Sequence, residues 1–415
     1  YRDAWSMRAS SEWVRDQLTL KPYLRRSQMT FLQHFLPGQP LEENEQTSGG
    51  LIVAYAIDAG DTSANVGGQV ELMSGALTEF QEGPTVGSAF LVATRPAGLH
   101  YDYDVDSQLI AGFYDLQHRV TDSFRVLHSL RLEYLSYDYT NNHIVGNTKD
   151  DGTNCGFGGC LYTRPASRDD SFTNVGARLG FEKDLAAGLL YANASRGFRP
   201  PQVTELYRLR GGQSIADLDS EDLTAVEAGF KNESIAVAFF AERTRDFLFR
   251  DSEAFNVSDG RTQSMGVEFS GQRQIGRHEF QLAATYAKHE YDFARDADAD
   301  GREEITDGNE LDSAPRWIGH AAWRTAITDT LKQELEVNRV GSHFLNAANT
   351  ARYKGHYAVN WRLQWQASAS TEISLRVMNL LDERYADRAD FAFGSYRYFP
   401  AMPRQVYLGA RTILD

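Results

Sequence analysis

Apolar and polar residues alternate one for one along most of this chain, and helical spacing is hard to find. Tyr357, Val359, Trp361, Leu363, Trp365 and Ala367 share one face of an extended segment, with Ala358, Asn360, Arg362, Gln364 and Gln366 on the other. Ile373, Leu375 and Val377 alternate with Glu372, Ser374 and Arg376. Phe124, Val126, Leu130, Leu132 and Tyr134 alternate with Arg125, Ser129, Arg131 and Glu133, and Phe280, Leu282, Ala284 and Tyr286 face away from Glu279, Gln281 and Thr285. Successive side chains of a strand point to opposite faces, so each segment reads as a β-strand with one greasy and one polar face. A soluble β-sandwich shares that pattern.

The connections separate the two architectures. Tight turns are expected at Val14–Asp16, Asp58–Asp61, His118–Asp122, Lys183–Gly188, Lys231–Ser234, Gln274–Arg277, Thr325–Asp329 and Ser368–Ser370. Between them fall long polar loops at Leu36–Ser48, Gln81–Gly98, Asn141–Asp169, Arg199–Asp217, Asp296–Ala314, Leu345–Lys354 and Asp387–Met402, with one short exception near Asp251–Ala254. Greek-key crossings would scatter long connections to both ends. Strict alternation predicts an all-β, antiparallel, up-and-down transmembrane β-barrel with periplasmic turns and extracellular loops. The runs number about 17, several longer than soluble strands usually are.

Composition sharpens this reading. No run reaches the ~18–20 apolar residues of a membrane helix, which excludes helical membrane proteins and leaves barrels untouched. A net charge of −15 argues against nucleic acid, whose phosphates call for basic stripes. Tyr (20) and Phe (23) are abundant, as in the aromatic girdles of barrels. Cys155 and Cys160 enclose a Gly-rich tetrapeptide and read as a small disulfide formed in an oxidising envelope compartment. Zinc would need two further soft ligands, and only His143 is near. No G-x-S-x-G, Walker or H-E-x-x-H motif is present, so no enzyme is indicated.

Several segments carry family wording. Ser195–Tyr207 reads S-R-G-F-R-P-P-Q-V-T-E-L-Y and is followed by Leu218-Asp219-Ser220-Glu221 and Glu227-Ala228-Gly229. Met265-Gly266-Val267-Glu268, Val377-Met378-Asn379-Leu380-Leu381-Asp382-Glu383-Arg384-Tyr385 and Met402–Gly409 follow in order. From about Tyr191 onward the chain resembles the barrel of TonB-dependent outer-membrane receptors, with Leu381 where Phe is usual and Thr412-Ile413-Leu414-Asp415 where an aromatic ending is usual.

The resemblance implies a barrel of about 22 strands. Residues 1–415 would then be one barrel domain, roughly the C-terminal three-quarters of it, with the N-terminal plug and first strands missing. It further implies active uptake across the outer membrane of a Gram-negative bacterium, most often of a ferric siderophore or other iron complex. The partners would be TonB, acting through the missing segment, together with outer-membrane lipid, lipopolysaccharide and a small-molecule metal complex. A passive porin and a cobalamin receptor are the alternatives. The interval Pro200–Leu218 contains no His, which speaks against haem.

Two Arg-plus-aromatic clusters are the expected ligand contacts: Tyr207, Arg208 and Arg210, and Tyr396, Arg397 and Tyr398 with Phe399. Guanidinium charge and ring faces suit anionic ferric complexes with aromatic arms. Tyr101 and Tyr103 stand at another loop foot, and His34, His100, His143, His343 and His356 fall near the outer rim. Asp296, Asp298 and Asp300 alternate before Gly301 and could hold calcium in a 296–307 loop. The loop departs from the EF-hand pattern at Glu303 and Asp307.

Overall fold

The computed structural model describes residues 1–415 except 35, 252–253, 297–303, 393 and 414–415. The chain forms two compact units. One comprises Tyr1–Gly180, Ser195–Thr224 and Thr244–Gly260, the other Phe181–Ala194, Ala225–Arg243 and Arg261–Asp415.

The first unit opens with an antiparallel meander: β1 (Arg2–Ser10), β2 (Trp13–Arg15), β3 (Leu18–Leu32), β4 (Leu41–Ala59), β5 (Thr62–Gln81), β6 (Gly98–Thr121) and β7 (Phe124–Asn141). Both β1 and β2 pair with β3, and each later strand pairs with its successor. A short helix, α1 (Ala89–Thr94), interrupts the β5–β6 loop. Strands β8 (Arg168–Leu185) and β9 (Gly188–Arg199), helix α2 (Val203–Tyr207), then β10 (Glu221–Lys231) and β11 (Ile235–Arg250) follow.

The second unit contains most of β12 (Asn256–Ile275), then β13 (His278–Tyr291), β14 (Trp317–Ala326), β15 (Leu331–Val340), β16 (His356–Gln366) and β17 (Thr371–Met378). β18 (Ala386–Ala392) and β19 (Ser395–Pro400) form a separate hairpin before β20 (Gln405–Thr412) returns to pair with β17. Each of the eight expected tight turns touches a connection between successive strands, although Val14–Arg15 and His118–Thr121 are themselves strand residues and the turns there fall at 16–17 and 122–123; Gly60, at φ +69°, supplies the left-handed conformation that the β4–β5 turn demands.

Register turns the alternation into continuous surfaces. Pro22, Leu51, Val70, Ile110 and Tyr134 lie side by side across β3 to β7 on one face. Four residues nearer the long loops, the same face carries Arg26, Thr47, Ser74, Asp106 and Asp138. The switch happens at one level on five strands, as it must where a hydrocarbon layer gives way to water. The opposite face beside the apolar belt is polar. There Tyr23 donates to Glu71 (2.5 Å), and Arg131 joins Gln69 (3.1 Å) to Glu133 (2.6 Å).

The second unit repeats the scheme. Phe280, Trp323, Leu335, Trp361, Val377 and Val406 align on one face. Arg324, Glu279, Glu334 and Arg362 form ion pairs on the other.

The belt explains strand length and corrects two loops. A membrane strand needs about 9–11 residues, whereas β5 has 20 and β6 has 24. The excess extends beyond the belt, where the outer face is polar. Alternation therefore fades although pairing continues. For that reason the loop expected over Leu36–Ser48 yields to β4 from Leu41, and Asp387–Met402 contains the β18–β19 hairpin.

An arginine at Val66, inside the belt on β5, is expected to destabilise the chain in lipid vesicles by about 2–4 kcal/mol. Thr78→Arg, on the same face beyond the belt, should cost under about 0.5 kcal/mol. Urea unfolding followed by tryptophan fluorescence measures both, and equal costs would contradict the placement of the belt.

Candidate functional site

The Ser195–Tyr207 segment begins as the end of β9 and turns at Pro200-Pro201 into α2. Proline removes a backbone donor and bars the preceding residue from helix, so the strand stops there. Glu205 accepts from the Gln202 amide (2.7 Å), closing the first turn of α2. Arg199 donates to both Glu205 oxygens (3.1 Å each) and to Glu221 (2.7 Å). The motif's arginine and glutamate thus hold its own geometry.

Tyr207 is fully buried. Its ring stacks on Tyr139 at 4.2 Å between centroids, and its hydroxyl donates to Asp170 (2.7 Å). Leu206, Leu209, Tyr101, Tyr103, Tyr139 and Tyr162 complete the same core. Tyr101 donates to the Leu209 carbonyl (2.5 Å), and burial pushes its hydroxyl up to about 12.

Arg208 leaves this core between two carboxylates. It reaches Glu42 at 2.8 Å and is bonded to Glu79. Gln33 donates to Glu42 (2.7 Å) and Glu79 (3.2 Å). His100, wholly buried, stacks on Tyr162 at 4.2 Å, with Nδ1 3.1 Å from Glu79 and Nε2 2.8 Å from the Pro96 carbonyl. Both neighbours are acceptors, so the ring satisfies both only when each nitrogen carries a proton. Two cations and two anions then balance. Burial drives Glu79 upward, yet the hydrogen bond from His100 and the charge of Arg208 outweigh it and hold the carboxyl at about 2.

The long loops close over these groups. Gln81 donates to the Gly83 carbonyl (2.8 Å), Thr85 (3.0 Å) and the Arg95 carbonyl (3.3 Å). Gly38, at φ +82°, lies where a Cβ would collide with the Gln81 amide. In the loop after β7, buried Arg164 donates to the carbonyls of Ile144 (2.5 Å), Thr148 (2.8 Å) and His100 (3.3 Å). The Cys155–Cys160 disulfide, with Cα atoms 5.0 Å apart, closes that loop's tip.

One group of charges is left over. Arg208, Arg210 and Arg250 line a cavity of about 360 Å³ with Thr204, Glu205, Leu248, Phe249 and Asn256. Arg95 lies close to Arg210. Burial and then the Arg210 charge depress its guanidinium, and Arg250 is depressed by burial and by the same neighbour. Among the described residues, no carboxylate pairs with Arg95, Arg210 or Arg250. Glu205 in the lining is engaged by Arg199, and Glu42 and Glu79 by Arg208. The arrangement can accept an anion through charge-assisted hydrogen bonds.

Of the residues singled out from sequence, Tyr207, Arg208 and Arg210 come together, and of these three only the Arg210 side chain has no ion pair or hydrogen bond among the described residues. Tyr396, Arg397 and Tyr398 share β19 in the second unit. Arg397 pairs with Asp390 (2.5 Å), and the two tyrosine rings lie stacked and half exposed at 6.2 Å. Asp296 pairs with Glu304 in a two-residue ladder of Arg295–Asp296 with Glu304–Ile305; Asp298 and Asp300 lie outside the described residues. No cluster of three or more metal-ligating side chains occurs among the described residues. Sequence reading missed Arg95 and Arg250, which stand 115 and 40 positions from Arg210.

The sequence model of the family described as TonB dependent receptor-like, beta-barrel, matches residues 2–380. No curated protein sequence matches the chain. Among solved structures, 99% of the chain overlays 61% of the ferric yersiniabactin uptake receptor FyuA from Yersinia pestis, at 18% identity and a TM-score of 0.71. The closed form of the ferric-catecholate import receptor Fiu from E. coli K12 gives 16% identity and a TM-score of 0.73, with 99% of this chain and 64% of that one covered. The copper transporter OprC gives 14% and 0.72, with 99% and 67% covered. The chain thus spans about six-tenths of the length of FyuA and Fiu.

Replacing Glu79 by Gln leaves Arg208 and His100 with one carboxylate and is expected to cost about 3–5 kcal/mol. In the wild type the Glu79 contribution is complete above the carboxyl's ordinary 4.5 and is lost as pH falls through about 2. Hydrogen exchange over 203–210 between pH 5 and 2 should show protection falling in the wild type. In Glu79→Gln it should be low throughout. A flat wild-type profile would contradict the assignment.

Proposed function

Because the chain belongs to the TonB dependent receptor-like β-barrel family, we propose that it is the barrel part of an outer-membrane receptor taking up a negatively charged metal complex, with a ferric siderophore as the leading candidate. Family and neighbours are transport receptors, not enzymes. The observation that carries the reading of charge is the cavity lined by Arg210 and Arg250, with Arg95 near Arg210, where the lining carboxylate, Glu205, is bonded to Arg199. Like charges held near one another raise the energy of the empty site, and an anion relieves it. Residues 1–415 form the barrel domain in this reading. A plug in the remainder of the receptor closes the lumen, and TonB energises transport through it.

Ligand would arrive at the long loops. Phe249 and Leu248 offer apolar surface beside the guanidiniums, suited to a chelate whose charged centre carries organic arms. In the second unit, the exposed faces of Tyr396 and Tyr398 support stacking on such arms. The iron is cargo and needs no resident metal. Loop rigidity matters, since ordering flexible segments on binding would subtract from affinity.

Ferric complexes of negative, zero and positive net charge, ferric citrate serving as the anionic probe, should be ranked by quenching of intrinsic fluorescence. Arg210→Ala and Arg95→Ala are each expected to weaken the anionic probe about ten- to a hundredfold and to leave the neutral one unchanged. Equal losses for all charges, or none, would reject the anion reading. In cells, uptake that survives collapse of the proton-motive force would reject the TonB-dependent one.

A further inference from the structure

The apolar belt of the second unit is not smooth. A depression of about 540 Å³ opens on it, walled by Phe269, Phe280, Trp323 and Leu335 and floored by Ala321. Its size falls within the range of sites that hold small molecules, about 300–1,000 Å³. The walls keep fixed positions. Phe280 lies opposite Trp323, and Trp323 opposite Leu335, in the ladder. The Trp323 indole donates to His278 (3.2 Å) at the start of β13.

One polar residue shares the depression's lining and its face. Arg273 is directly opposite Phe280 in the β12–β13 ladder, three positions before Gly276 in the turn. It is exposed, and no ion pair or side-chain hydrogen bond holds it among the described residues. An arginine facing lipid costs about 2–4 kcal/mol at the bilayer midplane and about 0–1 kcal/mol near the interface. Its place beside the short turn puts it at headgroup level. There a guanidinium meets phosphate oxygens in a planar, two-pronged geometry that favours it over other basic groups.

We propose that this depression is a binding site for one anionic glycerophospholipid on the short-turn side of the membrane. An acyl chain would lie between Phe269, Phe280, Trp323 and Leu335, and the phosphate would rest on Arg273. The proposal rests on the outer-membrane reading of the belt. The commitment to phospholipid follows from the pairing of an apolar trough with a single cation at its headgroup end. A wholly apolar trough would not select a headgroup, and a cation in the middle of the belt would oppose any hydrocarbon.

The test is native mass spectrometry of the full chain, delipidated in mild detergent and titrated with phosphatidylglycerol or with the uncharged diacylglycerol of the same chains. The variants are Ala321→Leu, which fills the floor, Arg273→Gln, and Gly112→Leu. The last lies on the apolar face of the first unit, where an added side chain meets open space. Wild type and Gly112→Leu should retain one phosphatidylglycerol more tightly than any further lipid. Ala321→Leu should lose that tight molecule. Arg273→Gln should weaken phosphatidylglycerol about tenfold and leave diacylglycerol unchanged, as loss of one charge-assisted contact would. Equal retention by Ala321→Leu and wild type overturns the proposal and leaves the membrane reading intact. Equal phosphatidylglycerol binding by Arg273→Gln overturns the role of Arg273. Failure of every variant to retain either lipid overturns both the site and the membrane reading beneath it.

Discussion

The fold of the loop end of the first unit depends on a buried set of charges that balance only when four pieces of chain arrive together. Arg208 comes from the segment after α2, His100 from β6, Glu42 from β4 and Glu79 from β5. Any of these charges buried alone would be expensive, and breaking one pair strands the other partner. The balanced set therefore tolerates little partial assembly. It joins residues 129 positions apart and fixes the register of everything around it. Tyr207 and Leu209, on either side of Arg208, can then be wholly buried.

That anchor sits on strands passing through two solvents. Over the belt, β5 and β6 keep apolar residues on one face and charges on the other. Past Leu72 and Ile110 the assignment reverses: Asp102, Asp104 and Asp106 face water, while Tyr101, Tyr103 and Val105 turn into a core. Hydrogen bonding continues unbroken across the boundary. A continuous ladder is stiffer than a loop of equal length, so the rim is held at a fixed distance from the apolar belt. The Arg164 carbonyl contacts and the Cys155–Cys160 bridge extend that order into the longest described loop.

Much of this was legible because period-two alternation and turn residues act locally. The eight turns, the strand faces and the close cysteine pair needed no knowledge of distant sequence. Asn379, in one of the family-like segments, stands at φ +49° with its side chain bonded to the Glu383 amide and carbonyl. What stayed hidden has a common cause. The upper part of β4 is polar on both faces, and the β18–β19 hairpin mixes charged, aromatic and alanine positions across a bulge, so periodicity was lost in both. Arg208 was expected to touch ligand because its carboxylate partners lie far away in sequence. His100 was placed only near the rim, though both ring nitrogens are committed inside the protein. Arg95 and Arg250 carry no local signature. Only folding brings them beside Arg210.

The unpaired guanidiniums have to be weighed against the charge of the whole chain. At −15, the protein repels an anion at long range, though salt at 0.15 M screens that field beyond about 8 Å. In the proposed reading, attraction begins only inside the screening distance, where Arg210 and Arg250 line the cavity with Arg95 close by and charges act at lower effective dielectric. Capture in that reading is governed by contact and hardly by steering, and selectivity would reside in the cavity's shape and in the number of anionic groups that reach it. The same geometry explains why Arg208 could not serve as one of these groups. Pulling it toward a ligand would leave Glu42 and Glu79 facing each other, and the loss of the anchor would exceed what one more contact returns. The pair of carboxylates thus divides neighbouring arginines between two tasks. Arg208 secures the fold, and the side chain of Arg210, two residues on, is held by no carboxylate among the described residues.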